Sequence, residues 1–429
     1  MTASPPLSAP RPANHREAPK IPEPASRPRG SGQVPPPDFA REVPALLLCL
    51  DPEPLDHRTL GAVRSLGRAG VEVHALLAAP RGPVSRSRYL ERVHPWTPAT
   101  VDPAHEGLRR TLWRIGERLG RPAVLIPMDQ VSALSVAGLR EALGRRFLVP
   151  SVSLPQVLEV ADWERLALGC TRLGVPHPET RLVEDGRQAV EVAATLGPPV
   201  VAKWARPWLL GAANGPRPTT VLHHPDQAGE LYAAGQHLGS PLLLQRYVAP
   251  TPGGDRSFHG YFDARSRLLF GGTGPGTRTR PGTSPCATAG EYGDLTETAR
   301  ALAAALGYQG VLDLDFRWDR EAGAFLLLDA HARSGAGHRR PAGEGDMDAV
   351  RAQHLDLTGR TVPQPGSPRE GRPSRTLPPR GRATDGPLRE ASAEGEPRWF
   401  AGDDPGPFAA MAGSLLRRAL TSYRGRGRR

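Results

Sequence analysis

VLDLDFRWD (311–319) and AFLLLDAHAR (324–333) decide the fold of this chain. In the first run Leu312 and Leu314 alternate with Asp313 and Asp315, so a strand puts both leucines on one face and both carboxylates on the other. The second run is apolar up to Asp329, and His331 falls two positions on, facing the same side. The intervening DREAG is a turn, which makes the two runs an antiparallel hairpin. Asp315, Asp329 and His331 then converge on one point. Two carboxylates with one further ligand suit Mg2+, which keeps waters and shares nucleotide phosphates. Solvated acids at strand ends are the alternative, and imidazole is a softer ligand than Mg2+ prefers.

Upstream of the hairpin, SFHGYFD (257–263) and RLLFGG (267–272) pair as antiparallel strands around a short turn, and a helix over 294–306 follows. LLLQRYV (242–248) is a strand whose main-chain groups could meet an adenine edge, although alone it reads as a core strand. VVAK (200–203) ends in Lys203, just before the Gly/Pro-rich loop 205–220. An ammonium there can meet a phosphate covered by loop backbone. Lys20 and Lys203 are the only lysines among 55 basic residues, so a lysine kept in an ordered strand is informative. Chance survival on the surface is the other reading. The second glycine-rich stretch, GGTGPGTRTRPG (271–282), offers Arg278 and Arg280 as bidentate donors to a carboxylate or phosphate, or as ordinary surface arginines. Neither loop is a P-loop, because GK[ST] is absent.

Order begins at Val43. ALLLCLD (45–51), VEVHALL (71–77), RVHPW (92–96) and PAVLIPM (122–128) read as strands, with helices over 57–69, 105–119 and 131–145 between and after them. That alternation implies a parallel sheet with crossover helices. No GxGxxG follows the first strand, so 43–150 is a Rossmann-like lobe without the dinucleotide fingerprint. Helices over 154–173 and 187–196 open the next block, a helix over 225–237 lies within it, and one over 346–357 closes it. Residues 1–42 and 361–395 are Pro-rich and unpatterned, a tail and a linker, and 396–429 holds a short amphipathic helix with a basic end.

Composition excludes several classes. No apolar run reaches the length of a membrane span, and the N-terminal twenty residues lack a signal's apolar core. Cys49, Cys170 and Cys286 are too few and too scattered for a disulfide framework or a Cys-rich zinc site, so a cytoplasmic protein is expected. The net charge of +11 points toward nucleic acid, but the excess sits in arginine-rich tails and aromatics make up only 5%, which leaves little stacking surface. No nucleic-acid partner is expected, and the oligomeric state is not legible.

Taken in order, Asp162-x-x-x-Leu166, LGVPHPET (173–180), VVAK, LLLQRYV, DRSFHGYFD (255–263), GVLDLDFRWD (310–319), LLLDAHAR and HLDLTGR (354–360) resemble the ATP-grasp superfamily. The closer likeness is to actinobacterial ATP-dependent carboxylate–amine ligases of the D-aspartate ligase-like branch. The resemblance implies an α/β architecture: a Rossmann-like lobe over 43–150, then a two-lobed ATP-grasp (α+β) module over 151–360. It implies that Lys203 contacts ATP phosphates, that Gln245, Arg246 and Val248 line the adenine, and that Asp255 lies near the ribose. By the same likeness Asp315 and Asp329 hold Mg2+, and Arg333 touches phosphate or acyl-phosphate. The implied reaction activates a carboxylate with ATP for attack by an amine, with loop 205–220 closing over the nucleotide. Three positions depart from the pattern: Trp163 replaces a lysine, Gly276 stands near the place of a second one, and His331-Ala332 replaces Asn-Pro. They motivate the alternative of a relative that binds nucleotide or a partner without turnover.

Overall fold

The computed structural model describes residues 37–52, 56–97, 106–210, 216–275, 295–334, 347–363 and 399–426, all within one unit, Pro36–Arg429. The Pro-rich tail through residue 36, most of the linker, Cys286, Gly276, Arg278 and Arg280 lie outside the described residues.

The first sheet is built from β1 (Ala45–Cys49), β2 (Val73–Leu77), β3 (Leu90–Pro95), β4 (Ala123–Pro127) and β5 (Phe147–Leu148). All its pairings are parallel, in the order β3-β2-β1-β4-β5. Helices α1 (His57–Arg68), α2 (Glu106–Leu119) and α3 (Gln130–Leu143) make the connections. The alternating pattern of 43–150 thus gives the expected parallel sheet; the two-residue β5 is too short to leave a periodic signal. Asp56 caps α1 by accepting from Arg58 N–H, and Asp129 caps α3 by accepting from Ser132 N–H.

The single helix expected over 154–173 is two: α4 (Leu154–Ala161) and α5 (Trp163–Leu173). Asp162 separates them in an extended conformation, its carboxylate accepting from Glu164 and Arg165 N–H at the start of α5. Its other oxygen pairs with Arg206 at 2.8 Å, a long-range partner the periodicity could not show.

A second, antiparallel sheet has the order β6-β9-β7-β8: β6 (Thr180–Val183), β7 (Val200–Trp204), β8 (Thr219–Leu222) and β9 (Leu242–Arg246). Helices α6 (Gly186–Leu196) and α7 (Asp226–Gly235) cover one face. Val200, Ala202 and Trp204 of β7 pack there with Ala189, Ala193 and Ala228, so the intervening Lys203 points to the opposite face. Gly235 lies against Trp204, whose ring would sit 2.2 Å from any Cβ at that position.

The third sheet has the order β11-β10-β12-β13, from β10 (Asp255–Phe262), β11 (Leu268–Pro275), β12 (Gly310–Asp319) and β13 (Ala324–His331), all antiparallel. Phe258, Leu312, Leu314 and Phe316 pack with Ala299, Leu302 and Ala303 of α8 (Leu295–Leu306). The opposite face is apolar where it meets the first lobe. There Tyr261, Phe270 and Val311 join Val350 and Leu355 of α9 (Ala349–Leu357) in one core with Ala45 and Leu47 of β1. The last helix, α10 (Gly406–Arg426), begins later than its sequence pattern, behind the Asp404-Pro405 turn. No described helix is long and apolar enough to cross a membrane.

Candidate functional site

Strand register sets the polar face of the third sheet out as a grid. Ser257 of β10, Asp315 of β12 and Asp329 of β13 stand directly opposite one another in one row. His259, Asp313 and His331 form the adjacent row, toward the first lobe. Directly opposed side chains lie about 5 Å apart at Cβ, and opposed like charges repel. Three carboxylates in two neighbouring rows are therefore a place for cations.

Some of that charge is answered internally. Ser257 Oγ donates to Asp315 Oδ1 at 2.6 Å. His259 Nδ1 lies 2.9 Å from Asp313 Oδ1. Burial pushes the Asp313 carboxyl up, but the neighbouring imidazole outweighs this and holds it below the usual range. Burial pushes His331 down, only partly offset by Asp329, whose Oδ2 lies 3.7 Å from His331 Nε2.

Lys203 completes the corner. It is only 4% exposed, and its Nζ donates to the carbonyl of Leu328, the residue before Asp329, at 2.5 Å. It thus reaches from the second sheet to the third, and the surface-survival reading falls. The same ammonium lies 4.7 Å from the ring centroid of Trp163. Trp163 Nε1 in turn donates to Asp329 Oδ1 at 2.7 Å. Trp163 N–H also bonds Ala205 O at 3.0 Å, so the start of α5 is fastened to the strand that carries Lys203.

Arg333 follows β13 and faces the carboxyl ends of β1 and β4. It lines a cavity with Pro127, Ala133, Tyr308 and Gln353 and feels the charges of Asp313, Asp129, Asp329 and Arg58. Burial, reinforced by Arg58, depresses its pKa. Its hydrogen bond among the described residues is to Ser334 O at 3.4 Å.

At the other end of the same face the expected nucleotide residues are engaged with protein partners. Asp255 stands opposite Arg317 and pairs with it at 2.7 Å. Arg317 also donates to Val248 O at 3.2 Å. Arg246 pairs with Asp319, and Gln245 Nε2 donates to Thr180 Oγ1 at 2.9 Å. Lys203, Asp315, Asp329, His331 and Arg333 are brought together; Gln245, Arg246, Val248 and Asp255 line the far end. Arg278 lies outside the described residues.

Reading the sequence missed Ser257 and His259 as site residues, and noted Trp163 only as a departure. The first two were within reach: S-F-H repeats the two-residue polar spacing of D-L-D, and antiparallel pairing sets the two alternations side by side. Trp163 carried no such signal, because an aromatic at a helix start reads as core.

Among the described residues no group of three or more His, Cys, Asp or Glu is arranged to hold a metal by itself. The opposed pair Asp315 and Asp329 nevertheless fits the Mg2+ donor set, which takes one or two carboxylates and completes itself with phosphate oxygens and water.

Comparison with solved structures places the fold. The chain is similar to a biotin carboxylase from Campylobacter jejuni in complex with β-γ-ATP, at 15% identity and a TM-score of 0.54, over 75% of this chain and 73% of that one. It is similar to an L-amino acid ligase from Bacillus licheniformis, at 13% identity and 0.52, over 73% and 74%. It is also similar to the N5-carboxyaminoimidazole ribonucleotide synthetase of Thermus thermophilus, at 19% identity and 0.52, over 74% and 79%. No family model and no curated protein sequence matches the chain. The two-lobed architecture is the ATP-grasp fold.

Proposed function

We propose that this ATP-grasp chain is an ATP- and Mg2+-dependent ligase that activates a carboxylate as an acyl-phosphate for attack by an amine. One observation carries the reading: Asp315 and Asp329 oppose each other across β12 and β13, with the Lys203 ammonium bonded to the residue before Asp329. Paired carboxylates beside a buried cation, fed from two different sheets, suit a polyphosphate and its metal and little else. The likeness to a carboxylase and two synthetase-type enzymes agrees with that chemistry.

In this proposal Asp315 and Asp329 hold Mg2+, with His331 at their flank. Mg2+ held there would supply charge neutralisation for the phosphate oxygens. Lys203 holds the phosphates from the second sheet, and Arg333 orients the carboxylate or its acyl-phosphate at the edge of the first lobe. Backbone of Gln245, Arg246 and Val248, with Asp255, receives the nucleoside. Positioning and charge neutralisation do most of the work.

Lys203→Met tests the assignment. We expect it to abolish ADP release over a panel of acids and amines while circular dichroism stays that of the parent. Unchanged turnover in a folded Lys203→Met protein overturns the site. Mg-ATP binding by the parent, with no ADP released across the panel, assigns a nucleotide-binding scaffold instead.

A further inference from the structure

His259 Nε2 is buried and makes no hydrogen bond among the described residues, although His259 is only 8% exposed and its Nδ1 is held by Asp313. A buried ring nitrogen left without a partner costs roughly 1–3 kcal/mol, so its persistence calls for a reason. The residue opposite His259 on β11 is Gly272, and a Cβ there would meet nothing within 4 Å. The glycine-rich motif thus leaves open space at the β11 position opposite His259. His259 also stands one row from the Asp315–Asp329 pair, on the side of the first lobe. Two residues along a strand span about 7 Å, which is the spacing between the His259 row and the carboxylate row.

We propose that His259, oriented by Asp313, is the general base that deprotonates the amine substrate in the open space at Gly272; this rests on the ligase reading above. Asp313 accepts from Nδ1–H and so leaves the Nε2 lone pair available. As the amine nitrogen attacks the acyl-phosphate, the C–N bond forms and the C–O bond to phosphate breaks. Inorganic phosphate leaves with that electron pair. Before attack one ammonium proton passes to Nε2, and the resulting imidazolium is balanced by the Asp313 carboxylate; the second N–H proton leaves with the departing phosphate as the amide forms.

The test separates activation from capture. Each of the twenty proteinogenic amino acids, succinate and malate is offered as the acid with Mg-ATP, and capture uses either hydroxylamine or methylamine. Hydroxylamine is largely unprotonated at neutral pH and needs no base before it attacks; methylamine is protonated and does. We expect His259→Asn and Asp313→Asn to keep hydroxamate formation within about threefold and to lose methylamide formation about 100-fold. A retained thermal shift with Mg-ATP shows that each variant is folded and binds. Equal loss of both products, or loss of neither, overturns the base assignment. So does a parent that forms hydroxamate but no methylamide. A parent that forms no hydroxamate with any acid fails the ligase reading itself, and the base assignment with it.

Discussion

At the scale of single residues, Trp163 is the side chain that most distinguishes this site. Its indole N–H serves Asp329 while its ring faces the Lys203 ammonium, so one residue touches both partners of the proposed phosphate corner. A hydrogen bond to a charged group contributes about 1.5–3 kcal/mol. Trp163→Phe keeps an aromatic face for Lys203 and removes the donor. We expect a stability loss of about 1–3 kcal/mol in urea titration, and weaker Mg2+ dependence of ATP binding because Asp329 is no longer held in place. Unaltered urea midpoint and Mg2+ dependence would show that the indole donor is idle. Lys203 was legible because lysine is nearly absent from the chain. Trp163 was not, because its meaning comes from two residues distant in sequence.

At the scale of elements, alternation carried most of the information. D-L-D in β12 and the spacing of Asp329 and His331 in β13 placed three carboxylates and an imidazole on one face without any tertiary knowledge. What alternation cannot give is which strand lies alongside. The pairing of β10 with β12 therefore escaped, and Ser257 and His259 with it. The break between α4 and α5 escaped for a similar reason: Asp162 caps α5 with one oxygen and pairs with the distant Arg206 through the other.

The C-terminal segment makes the point more sharply. Asp404 is 1% exposed and accepts from Arg64 Nε at 2.8 Å, Ser87 Oγ at 2.8 Å and Arg88 N–H at 2.9 Å. Arg64, fully buried on α1, also donates to the carbonyls of Trp399 and Asp404. Nothing in residues 399–404 announces an anchor for α1. Removing one partner of a buried pair leaves an uncompensated charge, so Asp404→Ala should destabilise the protein by about 3–5 kcal/mol and Asp404→Asn by less. Chemical denaturation measures both; equal, small effects would mean that the buried arginine is satisfied without Asp404.

The strand pair β2–β3 carries a pH dependence of its own. Burial, with the nearby His74, lowers the His94 pKa to about 4. The folded state therefore disfavours the imidazolium. The stability contribution is complete above the unfolded value of roughly 6.5 and is lost as pH falls toward about 4, by at most roughly 3 kcal/mol. His94→Phe should flatten the urea midpoint between those limits. A slope unchanged by the substitution would assign it to other groups.

At the scale of the whole molecule, the proposed site belongs to no single sheet. Lys203 comes from the second sheet, the carboxylates from the third, and Arg333 looks toward the ends of β1 and β4 in the first. A ligand that engages all three can bind only the assembled chain, so it stabilises the fold by mass action, by about 2.7 kcal/mol at a hundred times its Kd. For a cooperative unit of this size that raises Tm by about 3–4 °C. A net charge of +11 complicates the reading, because any polyanion is attracted to such a protein. Salt and metal separate the two effects. Attraction to arginine-rich surface is screened over about 8 Å at physiological ionic strength and fades further as salt rises. It also needs no divalent ion. A shift produced at Asp315 and Asp329 survives added salt, vanishes with EDTA, and is lost in Asp315→Asn but kept in Asp404→Asn. A shift that persists in EDTA and disappears in salt would instead trace ATP binding to the charged surface and remove the metal pair from the proposal.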